Sequence, residues 1–191
     1  MDLAGRQSIR ARHSRCGLAA ALAATLCGWR ALAAALGSAG AARRAALRDT
    51  LAFRAARHAA FPGAAENERL MEINEGLAQY TGTAVAAPSH QAAVADAIDQ
   101  LAKAPENATF VRTFPYPAGA AYGLLLDTVA PAWTRRVKSG DDLAAMTMAA
   151  AGVEPTADAR GAAARYGGGE LRASEEARDA ERQVRMTGLS G

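Results

Sequence analysis

Alanine is the feature that most constrains how this chain can fold, because 52 of the 191 residues are alanine. Alanine has the highest intrinsic helix propensity, but burial of its methyl group removes little apolar surface from water. Half of the residues are hydrophobic, yet only 5% are aromatic. We therefore expect a mainly α fold: an irregular multi-helix domain with at most one or two short extended segments.

Apolar residues recur three and four positions apart in several stretches, which is the spacing of one helix face. These patterns predict helices over 41–60, 64–80, 89–103, 120–130 and 142–151. Ser89 is the expected N-cap of the third helix, and Asp141 or Asp142 that of the last. In the first helix Arg54 and Arg57 fall at polar positions. Residues 108–114 alternate in polarity and predict a short strand or extended loop, and the prolines and glycine of 115–119 predict a turn.

The composition changes along the chain and divides it into three parts. Residues 1–28 form a basic, alanine-rich leader, and 29–152 form the helical domain. Residues 153–191 form a glycine-rich linker followed by a charged helix that we expect to be mobile, because it has few apolar side chains.

Positive charge is concentrated in residues 1–60, where ten arginines face two aspartates and the net charge is +8. No aromatic residues alternate with these arginines, and no helix-turn-helix, RNP or zinc-finger pattern is present. We therefore interpret the arginines as solvated helix faces and expect no nucleic-acid partner.

The N-terminus loosely fits a secretory signal peptide. Arginines precede an apolar run over 16–28, and small residues follow at Gly37, Ser38 and Ala39. An ordinary alanine-rich helix is the alternative, so a periplasmic or secreted location and a cytoplasmic one both stay open. The run is too short for a transmembrane span, which needs about 20 apolar residues. Cys16 and Cys27 are too few for a disulfide framework and are expected to be buried thiols.

The stretch from 66 to 80 carries two parallel stripes at helical spacing. One is apolar and consists of Leu70, Ile73, Leu77 and Tyr80. The other is polar and consists of Glu68, Glu72, Glu75 and Gln79. The pattern predicts that the first stripe is buried and that Glu68 and Glu72 are solvated. Gly76 in mid-helix costs roughly 1 kcal/mol relative to alanine, so we expect another element to approach closely there.

Residues 74–80, NEGLAQY, resemble the EGLAEY helix of gluzincin-type zinc metallopeptidases. In that family the glutamate is the third protein ligand of zinc, after two histidines of an HExxH helix, and water takes the fourth position. The resemblance implies that Glu75 is the metal-ligating position and that it faces inward, toward a groove. Gln79 departs from the family, which often has a second acid there.

A second stretch, 114–126, is similar to the segment that follows the metal helix in such proteins. The resemblance makes Tyr116 and Tyr122 candidates for polarising a scissile carbonyl. Simple core aromatic residues are the alternative interpretation of both.

The HExxH motif is absent. The histidines are His13, His58 and His90, and none has a partner four residues away with a glutamate between them. Zinc, the cofactor of the intact family, whose substrates are peptides or proteins, is therefore not expected to bind. The sequence predicts a truncated or degenerate metallopeptidase-like protein that is inactive. The alternative is a non-catalytic helical interaction module that is secreted or peripheral.

Overall fold

The computed structural model describes residues 3–106, 115–154 and 158–188, with side chains between 19 and 185. Every regular element in these ranges is helical, and they contain no strand, so the predicted mainly α fold is confirmed. The extended segment predicted for 108–114 lies outside the described residues. The helices are α1 (Leu3–Leu36), α2 (Gly40–Ala60), α3 (Ala64–Met71), α4 (Leu77–Ala86), α5 (His90–Lys103), α6 (Pro115–Val129), α7 (Leu143–Ala151), α8 (Ala159–Ala163) and α9 (Gly168–Gly188).

The helix ends follow local sequence signals. The Ser89 side chain accepts a hydrogen bond from the Ala92 amide at 3.2 Å, as predicted for the N-cap of α5. Asp142, rather than Asp141, caps α7 and accepts from the Ala145 amide at 2.9 Å. Gly152 ends α7 in the left-handed conformation, with φ 63°.

Helix α6 begins at Pro115, so the turn predicted over 115–119 is wrong. Proline disfavours a helix interior because it lacks an amide donor, but the first-turn amides have no partner within the helix. Pro115 and Pro117 therefore fit at the start of α6, and both are buried.

One continuous helix, α1, runs through residue 28 without a break and supplies the centre of the core. Its side chains pack against α2, α5, α6 and α9. Within α1, Ala19–Leu36 is long and apolar enough to cross a membrane by length and composition, and 72% of it is buried inside the molecule. A core helix or a signal sequence meets the same criteria.

The main core contains the large side chains of several helices. These are Leu22, Leu26, Trp29 and Leu32 of α1, Leu47 of α2, Leu101 of α5, Leu124–Leu126 of α6, and Trp133, Leu143 and Met148. A smaller cluster joins Cys27 and Ala31 to Phe53 and Ala162. Cys27 is buried, as predicted for this thiol.

The C-terminal segment is attached to the body of the protein by a charged contact. Arg165 donates to Asp49 of α2 at 2.6 and 3.1 Å, and the Tyr166 hydroxyl donates to the same carboxylate at 2.8 Å. Helix α9 then packs along α1 through Leu171 and Glu175. The charged helix expected at the C-terminus is therefore present and seated on the domain.

Candidate functional site

Glu75 lies in a single π-helical turn, Glu72–Gly76, which joins α3 to α4. The Leu77 amide donates to the Glu72 carbonyl, the five-residue bond of a π-helix. Such a turn inserts one extra residue into the helix and shifts the side chains beyond it by about 100°. π-turns of this kind are frequent at functional sites.

The buried face of this segment differs from the predicted one. Ile73 is buried, as expected, but Leu77 is only half-buried and Leu70 is 40% exposed. Glu68 and Glu72 are only 4% and 0% exposed, so the prediction that they are solvated is wrong. The carboxylates are buried because they have cationic partners on α2.

Gly76 meets Gly119 of α6 backbone to backbone. A Cβ atom built on Gly76 would lie 2.7 Å from the Gly119 Cα, and one built on Gly119 would lie 2.4 Å from the Gly76 Cα. One turn further on, Tyr80 packs on Gly123, where a Cβ atom would lie 2.4 Å from the ring. The predicted close approach at Gly76 is present, and the approaching helix is α6.

Glu75 and Tyr116 meet at the surface next to this crossing. Glu75 is exposed, so the prediction that it faces an interior groove is wrong. A hydrogen bond from the Tyr116 hydroxyl to the Glu75 carboxylate raises the pKa of Tyr116 above its usual value. The structure therefore brings together two of the three residues that the resemblance selected.

Tyr122 is the third residue that the resemblance selected, and it is buried on a different face of α6. Six residues separate it from Tyr116, which is about 600° along a helix and places the two rings on different sides. The Tyr122 ring lies 6.0 Å from the guanidinium carbon of Arg54. Burial, opposed by the nearby arginine, raises the pKa of Tyr122. Tyr122 belongs to the interior and not to the Glu75 surface.

Arg54 is the centre of a buried group of charges that we call the Arg54 cluster. Its guanidinium donates to Glu72 at 2.8 and 3.0 Å, to Glu68 at 2.8 Å and to Asp142 at 3.2 Å. Arg57 and His58 also contact the Glu68 carboxylate, the latter at 2.5 Å. The prediction that Arg54 and Arg57 are solvated is wrong, because both are paired inside the fold.

The pKa values within the Arg54 cluster reflect burial in competition with pairing. Burial is the largest single influence and would lower the pKa of Arg54, but the combined attraction of Glu72, Tyr122 and Asp142, with the hydrogen bonds to Glu72, raises that pKa above its usual value. Burial and the neighbouring Arg54 lower the pKa of Arg57 to about 10. Burial raises the pKa of Glu72, although Arg54 opposes this shift. The two-point contact with Arg54 favours the ionised form of Glu72.

A cavity of about 30 Å³ lies beside the Arg54 cluster, and Trp29, Phe53, Ala118 and Tyr122 form part of its wall. This volume is that of about one water molecule in the liquid. A peptide side chain does not fit there. The cluster is therefore a structural feature that joins α2, the π-turn and the start of α7.

His58 makes the Arg54 cluster sensitive to acid. Burial and the two arginines lower the pKa of His58 from 6.5 to about 4. Between these pH values the unfolded chain binds more protons than the folded chain, so the free energy of unfolding falls as pH is lowered. Between pH 6.5 and 4 we expect the free energy of unfolding of His58→Gln to fall by about 1–2 kcal/mol less than that of the wild type.

The measurement is urea unfolding of both proteins across that pH range. The difference between them isolates His58 from other titrating groups such as Glu72, whose raised pKa acts in the opposite direction. A wild-type chain that gains stability relative to His58→Gln on acidification would mean that Glu68 raises the pKa of His58, which contradicts this assignment.

The residues near Glu75 do not fit a zinc ion. The described histidine side chains lie elsewhere: His58 contacts Glu68, and His90 lies 4.0 Å from Asp127. Across the parts of the chain that the structure describes, no group of three or more His, Cys, Asp or Glu could hold a metal ion. Glu75 has a tyrosine hydroxyl as its neighbour, where a zinc site needs nitrogen or sulfur donors.

A polar depression of about 320 Å³ opens beside Tyr116. Gln79, Gln100, Lys103 and Glu106 line it together with Pro117. The Gln79 side-chain amide donates to Gln100 at 2.9 Å, so the residue at the family's second acidic position joins α4 to α5. The depression has both hydrogen-bond donors and hydrogen-bond acceptors and is open to solvent.

Comparisons of the chain with protein families, with curated proteins and with solved structures give no match.

Proposed function

We propose that this protein is a truncated or degenerate relative of gluzincin-type metallopeptidases, which carries the helix of the third metal ligand without the histidine pair and has no peptidase activity. The observation that carries the proposal is the surface pairing of Glu75 with Tyr116 directly beside the Gly76–Gly119 crossing. The motif glutamate, the motif glycine and a candidate tyrosine thus form one continuous feature.

The position of Gly76 supports the proposal because it has a steric reason to be glycine. The glycine that follows the glutamate in the gluzincin motif is expected where helices approach closely, and Gly76 meets another helix backbone to backbone. The π-turn around Glu75 also distinguishes this segment from an ordinary solvated helix, because π-turns are frequent at functional sites.

Catalysis of the gluzincin kind needs two histidines to hold zinc and a glutamate to act as general base. His58 on α2 contacts Glu68, and His90 on α5 lies 4.0 Å from Asp127, so the two histidines are not placed as a pair. One exposed carboxylate and a tyrosine cannot hold zinc against water. The proposal therefore assigns Glu75 and Tyr116 no hydrolytic step in this chain.

We expect purified protein, loaded with zinc and then desalted, to retain far less than one zinc ion per chain. We also expect no chelator-sensitive hydrolysis of a fluorogenic peptide library. Metal analysis by mass spectrometry and a plate assay with and without 1,10-phenanthroline measure the two quantities. Glu75→Gln is the matched control and should behave as the wild type does. One zinc per chain that is lost in Glu75→Gln, together with peptide hydrolysis, would contradict the proposal.

Relatedness to the peptidases has a separate test in the coding DNA. If the resemblance reflects descent, the DNA upstream of codon 29 should encode an HExxH pattern, in frame or in a shifted frame. Its absence over the several hundred nucleotides upstream would count against truncation and leave degeneration as the only form of the proposal.

A non-catalytic interaction module is the second candidate function. The observation that favours it is the polar depression beside Tyr116, which offers amide, carboxylate and ammonium groups to a partner. Under this alternative Gln100→Ala would weaken capture of a partner without changing zinc content. If the protein is only a degenerate metallopeptidase relative, Gln100→Ala would change neither the capture of a partner nor the zinc content.

A further inference from the structure

A groove of about 310 Å³ lies between α1, α2, α8 and the start of α9, and Glu75 is not among the residues that line it. Its walls run from Ala20 to Cys27 on α1 and from Phe53 to Ala60 on α2. Most of the lining residues are alanines, whose single methyl groups leave the space between the helices unfilled. Small-molecule sites typically have volumes of about 300–1,000 Å³ and mostly apolar walls, and the groove meets both criteria.

The groove is long and narrow. Ala20 and Cys27 are seven residues apart on α1, which is about 10 Å along the helix axis. An extended alkyl chain of about eight carbons has the same length, because each carbon–carbon bond is about 1.5 Å long. A volume of about 310 Å³ spread over this length suits an unbranched alkyl chain.

The charges at the rim of the groove are positive. Arg160 lines it and is exposed, and its side chain has no hydrogen bond or ion pair with another residue that the structure describes. Arg172 lines it as well and pairs with Glu176 at 3.0 Å. None of the described lining residues is an aspartate or a glutamate. An anionic group is therefore the complement of this rim.

Helix α8 holds Arg160 in place beside the groove. Asp158 caps this helix and accepts a hydrogen bond from the Gly161 amide at 2.7 Å. The Tyr166 hydroxyl, just beyond α8, donates to Asp49 of α2 at 2.8 Å. The position of the Arg160 backbone is thus fixed before a ligand arrives, which lowers the entropy lost on binding.

We propose that this groove binds a free straight-chain fatty acid. The carboxylate accepts hydrogen bonds from the Arg160 guanidinium, whose planar N–H groups match the two carboxylate oxygens. The alkyl chain lies against the alanines of α1 and α2 and against Phe53. The narrow space takes one chain rather than the two chains of a membrane lipid. The proposal goes beyond the metallopeptidase relationship and depends neither on zinc nor on Glu75.

The test is titration calorimetry of the full chain with decanoate, decan-1-ol and decyltrimethylammonium, which share one alkyl chain and differ in charge. We expect decanoate to bind, the alcohol to bind about five- to tenfold more weakly, and the cation to bind least. Arg160→Gln should lower the affinity for decanoate to that for the alcohol. Arg135→Gln is the matched control, because it changes an exposed arginine outside the groove and should leave binding unchanged.

A second pair of variants tests the walls. Ala56→Leu fills the groove from α2 and should abolish binding of both decanoate and decan-1-ol. Ala55→Leu places the same side chain at the exposed neighbouring position and should leave both affinities unchanged. Circular dichroism verifies each fold, and the Arg160→Gln comparison stands without this pair because that side chain is exposed.

Three results would overturn the proposal. They are equal binding of the three probes, unchanged decanoate binding by Arg160→Gln, and binding of none of the probes. Flotation with phosphatidylglycerol vesicles addresses the membrane as an alternative source of alkyl chains. Vesicle association that Arg160→Gln and Ala56→Leu both abolish, without binding of decanoate, would assign the groove to membrane lipid and also contradict the proposal.

Discussion

Arg54→Ala is expected to lower the free energy of unfolding by about 3–5 kcal/mol, because it leaves buried carboxylates without their cation. Glu72 is 0% exposed and receives two hydrogen bonds from Arg54, and Glu68 and Asp142 share the same guanidinium. The shortened side chain also leaves a gap beneath the Tyr122 ring. Urea unfolding at pH 7, followed by circular dichroism, measures the change.

Arg172→Ala is the matched control, because it removes an arginine that pairs with Glu176 while both side chains are about half exposed. Exposed pairs of this kind contribute about 0–1 kcal/mol. A double variant, Arg54→Met with Glu72→Met, should recover much of the loss, since it removes both charges together. A loss below about 1 kcal/mol for Arg54→Ala would mean that the carboxylates are reached by water and that the cluster is not buried in solution.

Gly119→Ala is the second substitution with a large expected effect. The new methyl group would lie 2.4 Å from the Gly76 Cα, a backbone atom that cannot rotate away. Helix α6 would have to move off the π-turn, at a cost that overpacking places at about 1–3 kcal/mol or more. The gain in helix propensity, about 1 kcal/mol, offsets only part of this. Thermal and urea unfolding measure the net loss.

Gly82→Ala provides the comparison, because Gly82 is also helical and nothing lies within 4 Å of a Cβ atom built there. We expect this change to be neutral or to stabilise the protein by up to about 1 kcal/mol. If both alanine variants are equally stable, the contact between α6 and the π-turn is looser than the structure indicates.

The helices could be predicted because their signals are local. Ser89 and Asp142 cap helices through side chains three residues away from the amides they bind, and apolar spacing marks the helices themselves. The start of α6 could not be predicted, because two prolines and a glycine within five residues are typical of a turn. Proline suits a turn and the first turn of a helix equally, so the local sequence does not distinguish the two.

The burial of Glu68 and Glu72 could not be predicted, for two physical reasons. Their cation comes from Arg54 on another helix, and Asp142 joins from 88 residues further along the chain. In addition, the π-turn rotates the side chains of α4 relative to those of α3, so Leu70 before the turn and Leu77 after it do not form the single apolar stripe that regular spacing predicts. By contrast, Gly76 pointed to a close contact because a glycine in mid-helix is costly without one.

The spacing of glycines in α6 also indicates the close contact between α6 and the segment around Gly76. Gly119 and Gly123 are four residues apart, so both fall on one face of α6, and Gly76 and Tyr80 have the same spacing on the facing segment. Small residues at this spacing let two helices approach along a ridge. The pairing of the two ridges, however, depends on a tertiary arrangement that one sequence does not specify.

The burial of α1 has a consequence for the fate of the newly made chain. Cleavage by a signal peptidase near Ser38 would remove Leu22, Leu26, Trp29 and Leu32, which lie at the centre of the core. Export with cleavage and this fold are therefore mutually exclusive outcomes.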